Sequence, residues 1–134
     1  MSFTNAMRLL HAAAATAVVG LIFVQLYLIG EFVYGDVGAL QTHESVGKTV
    51  PFIELLVFLT AVAGWWSNRV QVGLSLALFI VGGVQVSFAT THWGTNPSVR
   101  ALHPTLAAAV VLLAAVTAAR AWRLRGRLAP DAAA

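Results

Sequence analysis

Four stretches of the chain carry apolar residues with almost no polar interruption, at about 9–30, 50–66, 72–91 and 102–122. The second continues outward as helix to Thr42, giving 42–66 as its full extent. The shortest run has 17 residues, which at ~1.5 Å rise per residue is long enough to cross a ~30 Å hydrocarbon core. Backbone groups in hydrocarbon have no water to bond, so runs of this length are predicted to be helices. Helix breakers mark the connections. Gly35-Asp36-Val37-Gly38 separates the first two runs, Ser67-Asn68-Arg69 makes a tight turn between the second and third, and Gly94-Thr95-Asn96-Pro97 separates the last two. The tight middle turn makes spans two and three antiparallel neighbours. The pattern predicts an all-α fold, an antiparallel transmembrane four-helix bundle made of two repeated helical hairpins. Residues 1–128 form one four-span domain, and 129–134 are expected to be a disordered tail.

Composition strengthens this picture. Of 134 residues, 59% are hydrophobic and 10% charged, with a mean hydropathy of +0.82. A soluble domain carries roughly 25% charged residues, so the expected solvent is the lipid bilayer. The N-terminal apolar run outlasts the 7–15-residue core of a signal peptide. It ends in Leu28-Ile29-Gly30-Glu31, which is no cleavage site, and is read as retained. The absence of cysteine excludes disulfides, thiolate-ligated zinc, iron–sulfur clusters and covalent haem attachment.

Net charge is +3. The basic residues that follow the last span, Arg120, Arg123, Arg125 and Arg127, form no recurring basic face, so no nucleic-acid partner is expected. Their placement instead sets topology. One side holds Arg8, Arg69, Arg120, Arg123, Arg125 and Arg127, and the other only Lys48 and Arg100. The arginine-rich side is expected to be cytoplasmic, giving a multi-pass protein of the cell membrane with both termini inside.

A weak repeat recurs at an offset of sixty residues: Val24-Gln25 returns as Val84-Gln85, and His43 returns as His103. Two spans per repeat bring the chain back to its starting side, so the halves are related by an axis along the membrane normal. That axis brings His43 and His103 to one height at the outer ends of spans two and four, which lie diagonally across a sequential bundle. Below His43 the helical stripe carries Gly47, Val50, Glu54, Phe58 and Ala61. Below His103 it carries Ala107, Val110, Ala114 and Thr117. A small residue, Gly47 or Ala107, sits one turn below each histidine and leaves room for a flat macrocycle whose iron takes one imidazole from each side. Two simpler readings stand beside this one. Small residues also allow close helix packing, and a histidine at a span end can serve as a polar cap.

The other polar positions are less specific. Gln25 and Gln85 are expected to link helices, to orient the imidazoles or to touch a haem substituent. His92 could replace a ligand, meet a propionate or simply lie in a loop. His11 sits near the cytoplasmic end of span one with no second histidine at its depth, which argues against a second bis-histidyl haem. Glu54, the one carboxylate deep in a span, is either a proton relay or a neutral group bonded to a partner such as Gln25 or Gln85.

At Gln25-Leu26-Tyr27-Leu28-Ile29-Gly30, Thr42-His43-Glu44-Ser45-Val46-Gly47 and Leu102-His103-Pro104-Thr105-Leu106-Ala107, the chain resembles a largely uncharacterised family of small four-span bacterial membrane proteins, well represented in actinobacteria. More loosely it resembles one half of haem A synthase and transmembrane cytochrome b bundles. That resemblance implies His43 and His103 as an axial pair for b-type haem. The second histidine pair of di-haem cytochromes has no counterpart here, nor do the acidic and arginine-containing motifs of haem A synthase.

The expected function is a membrane protein holding one haem b between His43 and His103, with Gln25, Gln85, Gly47 and Ala107 around it. Its roles would be electron transfer or haem sensing, with a quinone or an external redox protein as partner and no catalytic activity of its own. Association with further copies of itself is left open. The alternatives are a haem-free subunit of a transporter or larger complex, using Glu54 and the glutamines as a polar path or as packing glue, and an outer metal site from His43, Glu44, His92 and His103.

Overall fold

The computed structural model describes residues 1–89 and 96–126. It contains α1 (Phe3–Val33), α2 (Val37–Trp65), α3 (Arg69–Ser87), a single turn α4 (Pro97–Arg100) and α5 (Leu102–Gly126). The chain is an all-α four-helix bundle. Helix α1 packs on α2 and α5, and α3 packs on the same two helices, so α2 and α5 face each other diagonally. His92, Arg127 and the tail 129–134 lie outside the described residues, as does the expected end of span three at 90–91.

The helices run beyond the apolar stretches because polar residues cap them outside the hydrocarbon. Ser2 Oγ accepts from the Asn5 amide at 3.3 Å, so α1 starts six residues before the apolar run begins at Leu9. Asp36 Oδ1 accepts from the Gly38 amide at 2.9 Å and opens α2. Between these helices Gly35 adopts φ +114°, a left-handed conformation that only glycine takes at no steric cost. Asn68 caps α3 through the Gln71 amide at 3.1 Å, and its own amide donates to the Trp65 carbonyl at 2.7 Å, closing the tight turn.

The interior is small and aliphatic. Ala12, Ala15 and Val18 of α1, Val57 and Ala61 of α2, Leu78 of α3 and Ala114 of α5 are fully buried, and small residues let helix backbones approach closely. The outer surface is apolar too. Phe23, Leu26, Phe52, Leu59, Ile80, Leu112 and Val116 project from the middles of their helices with more than a third of their surface exposed. No polar face remains for water to solvate, so lipid is the solvent of this bundle. All four long helices, with α4 and α5 counted as one, are long and apolar enough to cross a membrane. The protein is a multi-pass membrane protein.

The two hairpins, α1–α2 and α3–α5, are tied in the same way at both ends. His43 donates to the Gln25 carbonyl and His103 to the Gln85 carbonyl. At the opposite end His11 donates to the Val57 carbonyl and Gln71 to the Thr117 carbonyl. Every member of each pair is sixty residues from its mate. The sequence repeat is therefore also a repeat of tertiary contacts.

One contact belongs to the first hairpin alone. A Cβ at Gly64 would lie 3.0 Å from the Arg8 backbone nitrogen and 3.2 Å from the Met7 carbonyl carbon. Arg8 Nε donates to the Gly64 carbonyl at 2.8 Å, and its guanidinium lies 4.6 Å from the centre of the Trp65 ring. Backbone cannot yield as a flexible side chain can. Gly64→Ala is expected to cost about 1–3 kcal/mol, read as an earlier unfolding midpoint in detergent.

Candidate functional site

At the end of the bundle opposite the arginines, the four long helices part around a cavity of about 510 Å³, a size within the ~300–1,000 Å³ range of cofactor sites. Ile22, Gln25 and Ile29 line it from α1, His43, Gly47 and Glu54 from α2, Gln85 from α3, and His103, Ala107 and Val110 from α5. All six residues singled out from the sequence (Gln25, His43, Gly47, Gln85, His103 and Ala107) are on its wall. Three charged side chains, Glu44, Lys48 and Arg100, also border it, and all three are exposed to solvent.

The histidine rings meet across the cavity with centroids 6.3 Å apart and planes at 81°. His43 is held through one nitrogen, whereas both nitrogens of His103 have partners. His43 Nδ1 donates to the Gln25 carbonyl at 3.2 Å, and His103 Nδ1 donates to the Gln85 carbonyl at 2.8 Å. The second acceptor is available because α3 ends at Ser87, leaving the carbonyls of its last turn without partners inside the helix. A proton fixed on Nδ1 leaves the Nε2 lone pair free, the tautomer that metal-ligating histidines adopt. The Gln85 amide nitrogen lies against the His103 ring, 3.0 Å from Nδ1 and 3.3 Å from Nε2, whereas His43 Nε2 has no hydrogen-bond partner among the described residues.

These dimensions allow a test of fit. Two metal–nitrogen bonds of about 2.0 Å, with roughly 1.1 Å from each nitrogen to its ring centre, put a shared axial pair about 6 Å apart. The observed 6.3 Å matches. Buried polar atoms without protein partners give a second criterion. Both polar atoms of the Gln25 amide and both oxygens of Glu54 are in this state. Gly47 is not required to be glycine by protein packing, since a methyl there would touch only the Gln25 amide, at 3.7 Å. Any need for a small residue at 47 arises only with a flat group in the cavity. A metal ion held by a cluster of acids and histidines fits less well. Among the described residues no three histidines or carboxylates converge, and His92 lies outside them.

No family model, curated protein or solved structure matches the chain.

Glu54 differs from expectation in its partners. It is fully buried, with neither Gln25 nor Gln85 bonded to it. Its carboxylate presses against Gly82 of α3, where any Cβ would overlap it. Gly82 is thus the residue that makes space for Glu54.

A second polar cluster lies towards the arginine end and was not anticipated. His11 is fully buried, donates from Nδ1 to the Val57 carbonyl at 3.0 Å, and accepts at Nε2 from the Gln71 amide at 2.8 Å. The same Gln71 nitrogen donates to the Thr117 carbonyl at 3.0 Å. The signal was present in the offset of sixty, which pairs His11 with Gln71. Because the mates are unlike residues, a search for matching letters passes over them.

Proposed function

We propose that this protein is an integral membrane haem protein that holds one b-type haem between His43 and His103 for one-electron transfer or for haem sensing. The observation that carries this reading is the 6.3 Å separation of two imidazoles across a cavity, with each Nδ1 already committed to a backbone carbonyl. Gln25, Gln85, Gly47 and Ala107 would surround the macrocycle, and Lys48 and Arg100 are the cations at hand for its propionates. Bound haem would supply a one-electron carrier, and two imidazole ligands would leave no open position for oxygen chemistry.

Charge placement orients the site. The arginines described at the end opposite the histidines, Arg8, Arg69, Arg120, Arg123 and Arg125, assign that end to the cytoplasm by the positive-inside rule. Both termini are then inside the cell membrane and the haem lies towards the outer leaflet, within reach of a quinone or an external redox protein. The second reading is a haem-free subunit of a transporter or larger complex, favoured by the unpartnered Glu54 carboxylate in the cavity.

A spectrum separates the two. Protein purified in detergent from haem-replete cells is expected to show a Soret band and, when reduced, sharp α and β bands at about one haem per chain. A colourless preparation that takes up no added haemin would overturn the haem reading in favour of the second.

A further inference from the structure

We propose that Glu54 is the proton-accepting group of this cavity, binding one proton when the site gains an electron and releasing it when the electron leaves. The inference rests on the haem reading and adds a coupling between electron and proton.

The position of Glu54 carries the argument. Its side chain is fully buried, lines the same cavity as both histidines, and has two oxygens without a hydrogen-bond partner. A buried carboxylate is ordinarily stabilised by a cation or by donors. No protein group supplies either here, so the net positive charge of a ferric bis-imidazole haem would be the counter-charge that keeps Glu54 ionised, and reduction would remove it. Helix α3 presents Gly82 to it and has no titratable residue from Val70 to Ser87. Helix α1 has none between His11 and Tyr27, and α5 none between His103 and Arg120. The titratable or charged groups that share the cavity are His43, Glu44, Lys48, Arg100 and His103, of which the nearest along α2, Lys48, is six residues from Glu54. With no competing group at its own level, Glu54 is the site where a change in cavity charge is met.

The balance of the step is simple. A reduced redox protein would give one electron to the bound haem and would itself be oxidised by one electron. The Glu54 carboxylate takes H⁺ from water and becomes the neutral acid. One negative and one positive charge enter together, so the low-dielectric cavity avoids holding a new uncompensated charge. Reoxidation reverses both transfers.

The direction of proton exchange follows from packing. Towards the arginine end the fully buried Val18, Val57 and Leu78 fill the interior, and the His11–Gln71 pair is bonded to itself and to backbone carbonyls. Towards the histidine end the cavity wall includes the exposed Glu44, Lys48 and Arg100. The cavity therefore opens to water at the histidine side, and protons reach Glu54 from there.

The test is a redox titration of the haem-loaded protein at a series of pH values, for wild type and Glu54→Gln. Infrared difference spectra of reduced minus oxidised wild type accompany it. Because the reduced state holds the extra proton, lower pH is expected to favour reduction in the wild type. At fixed potential the reduced-to-oxidised ratio should change by up to about tenfold per pH unit. Glu54→Gln is expected to flatten that dependence. A carboxylic-acid C=O band should appear on reduction of the wild type and be absent from the variant. Equal pH dependence in both proteins with no carboxyl band would overturn the proposal and leave the haem reading standing. Absence of a Soret band before any titration would remove both. If Glu54→Gln does not fold, the infrared band of the wild type decides.

Discussion

Replacing His43 or His103 by alanine is expected to remove at least about nine-tenths of the haem absorbance per mole of purified protein. Loss of one of two axial bonds weakens retention by several kcal/mol, and each 1.4 kcal/mol is tenfold in affinity. The two variants should behave alike, because each histidine has Nδ1 on the carbonyl of the glutamine eighteen residues before it. Haem that remains should lose the sharp low-spin bands of bis-imidazole ligation. Small cavities left by His43→Gly and His103→Gly are expected to accept free imidazole, which would restore those bands. Full haem content in both alanine variants would exclude the axial assignment, however well the geometry matches.

The second large effect concerns stability rather than colour. His11→Ala is expected to destabilise the bundle by about 2–4 kcal/mol. Most of that comes from the void left by a fully buried ring, with a smaller share from interhelical hydrogen bonds, which average about 0.6 kcal/mol in membrane proteins. The bonds to the Val57 carbonyl and from the Gln71 amide are lost, with a longer contact of 3.5 Å to Thr60 Oγ1, although Gln71 keeps its bond to the Thr117 carbonyl. His11→Gln should recover part of the loss, because the repeat places a glutamine in the equivalent role at Gln71. Unfolding in a denaturing-detergent titration measures the effect. The haem content of the folded fraction should be unchanged. A His11→Ala protein as stable as wild type would show that the cluster contributes no net packing, and one that folds but loses its haem would move His11 into the site.

The two variants also show where sequence and structure diverge. His43 and His103 could be found because both repeat mates are histidines at the same height on helices that the topology places on a diagonal. His11 has no second histidine at its depth, because its mate in the repeat is a glutamine, and their pairing is visible only in the contacts. Glu54 could be seen as a carboxylate inside a span, yet its surroundings could not. Whether a buried acid meets Gln25, Gln85 or nothing depends on side-chain directions and on Gly82 of another helix. Helix ends were underestimated at both ends of α1 because apolar runs measure hydrocarbon, while helices continue until a cap or a glycine in the left-handed conformation stops them.

The sequence by itself determined the solvent, the number of crossings, the alternating direction of the helices and the equivalence of the two hairpins. Those follow from the length of apolar runs, the breakers between them and a repeated spacing, which act locally or through connectivity. The tertiary structure alone decided that the histidine rings lie 6.3 Å apart across an open cavity, that backbone carbonyls orient them, and that Glu54 is buried there without a partner. In a bundle whose outer surface is as apolar as most of its interior, hydropathy does not distinguish the inward face from the outward one. Only the close packing of four helices settles which side chains meet.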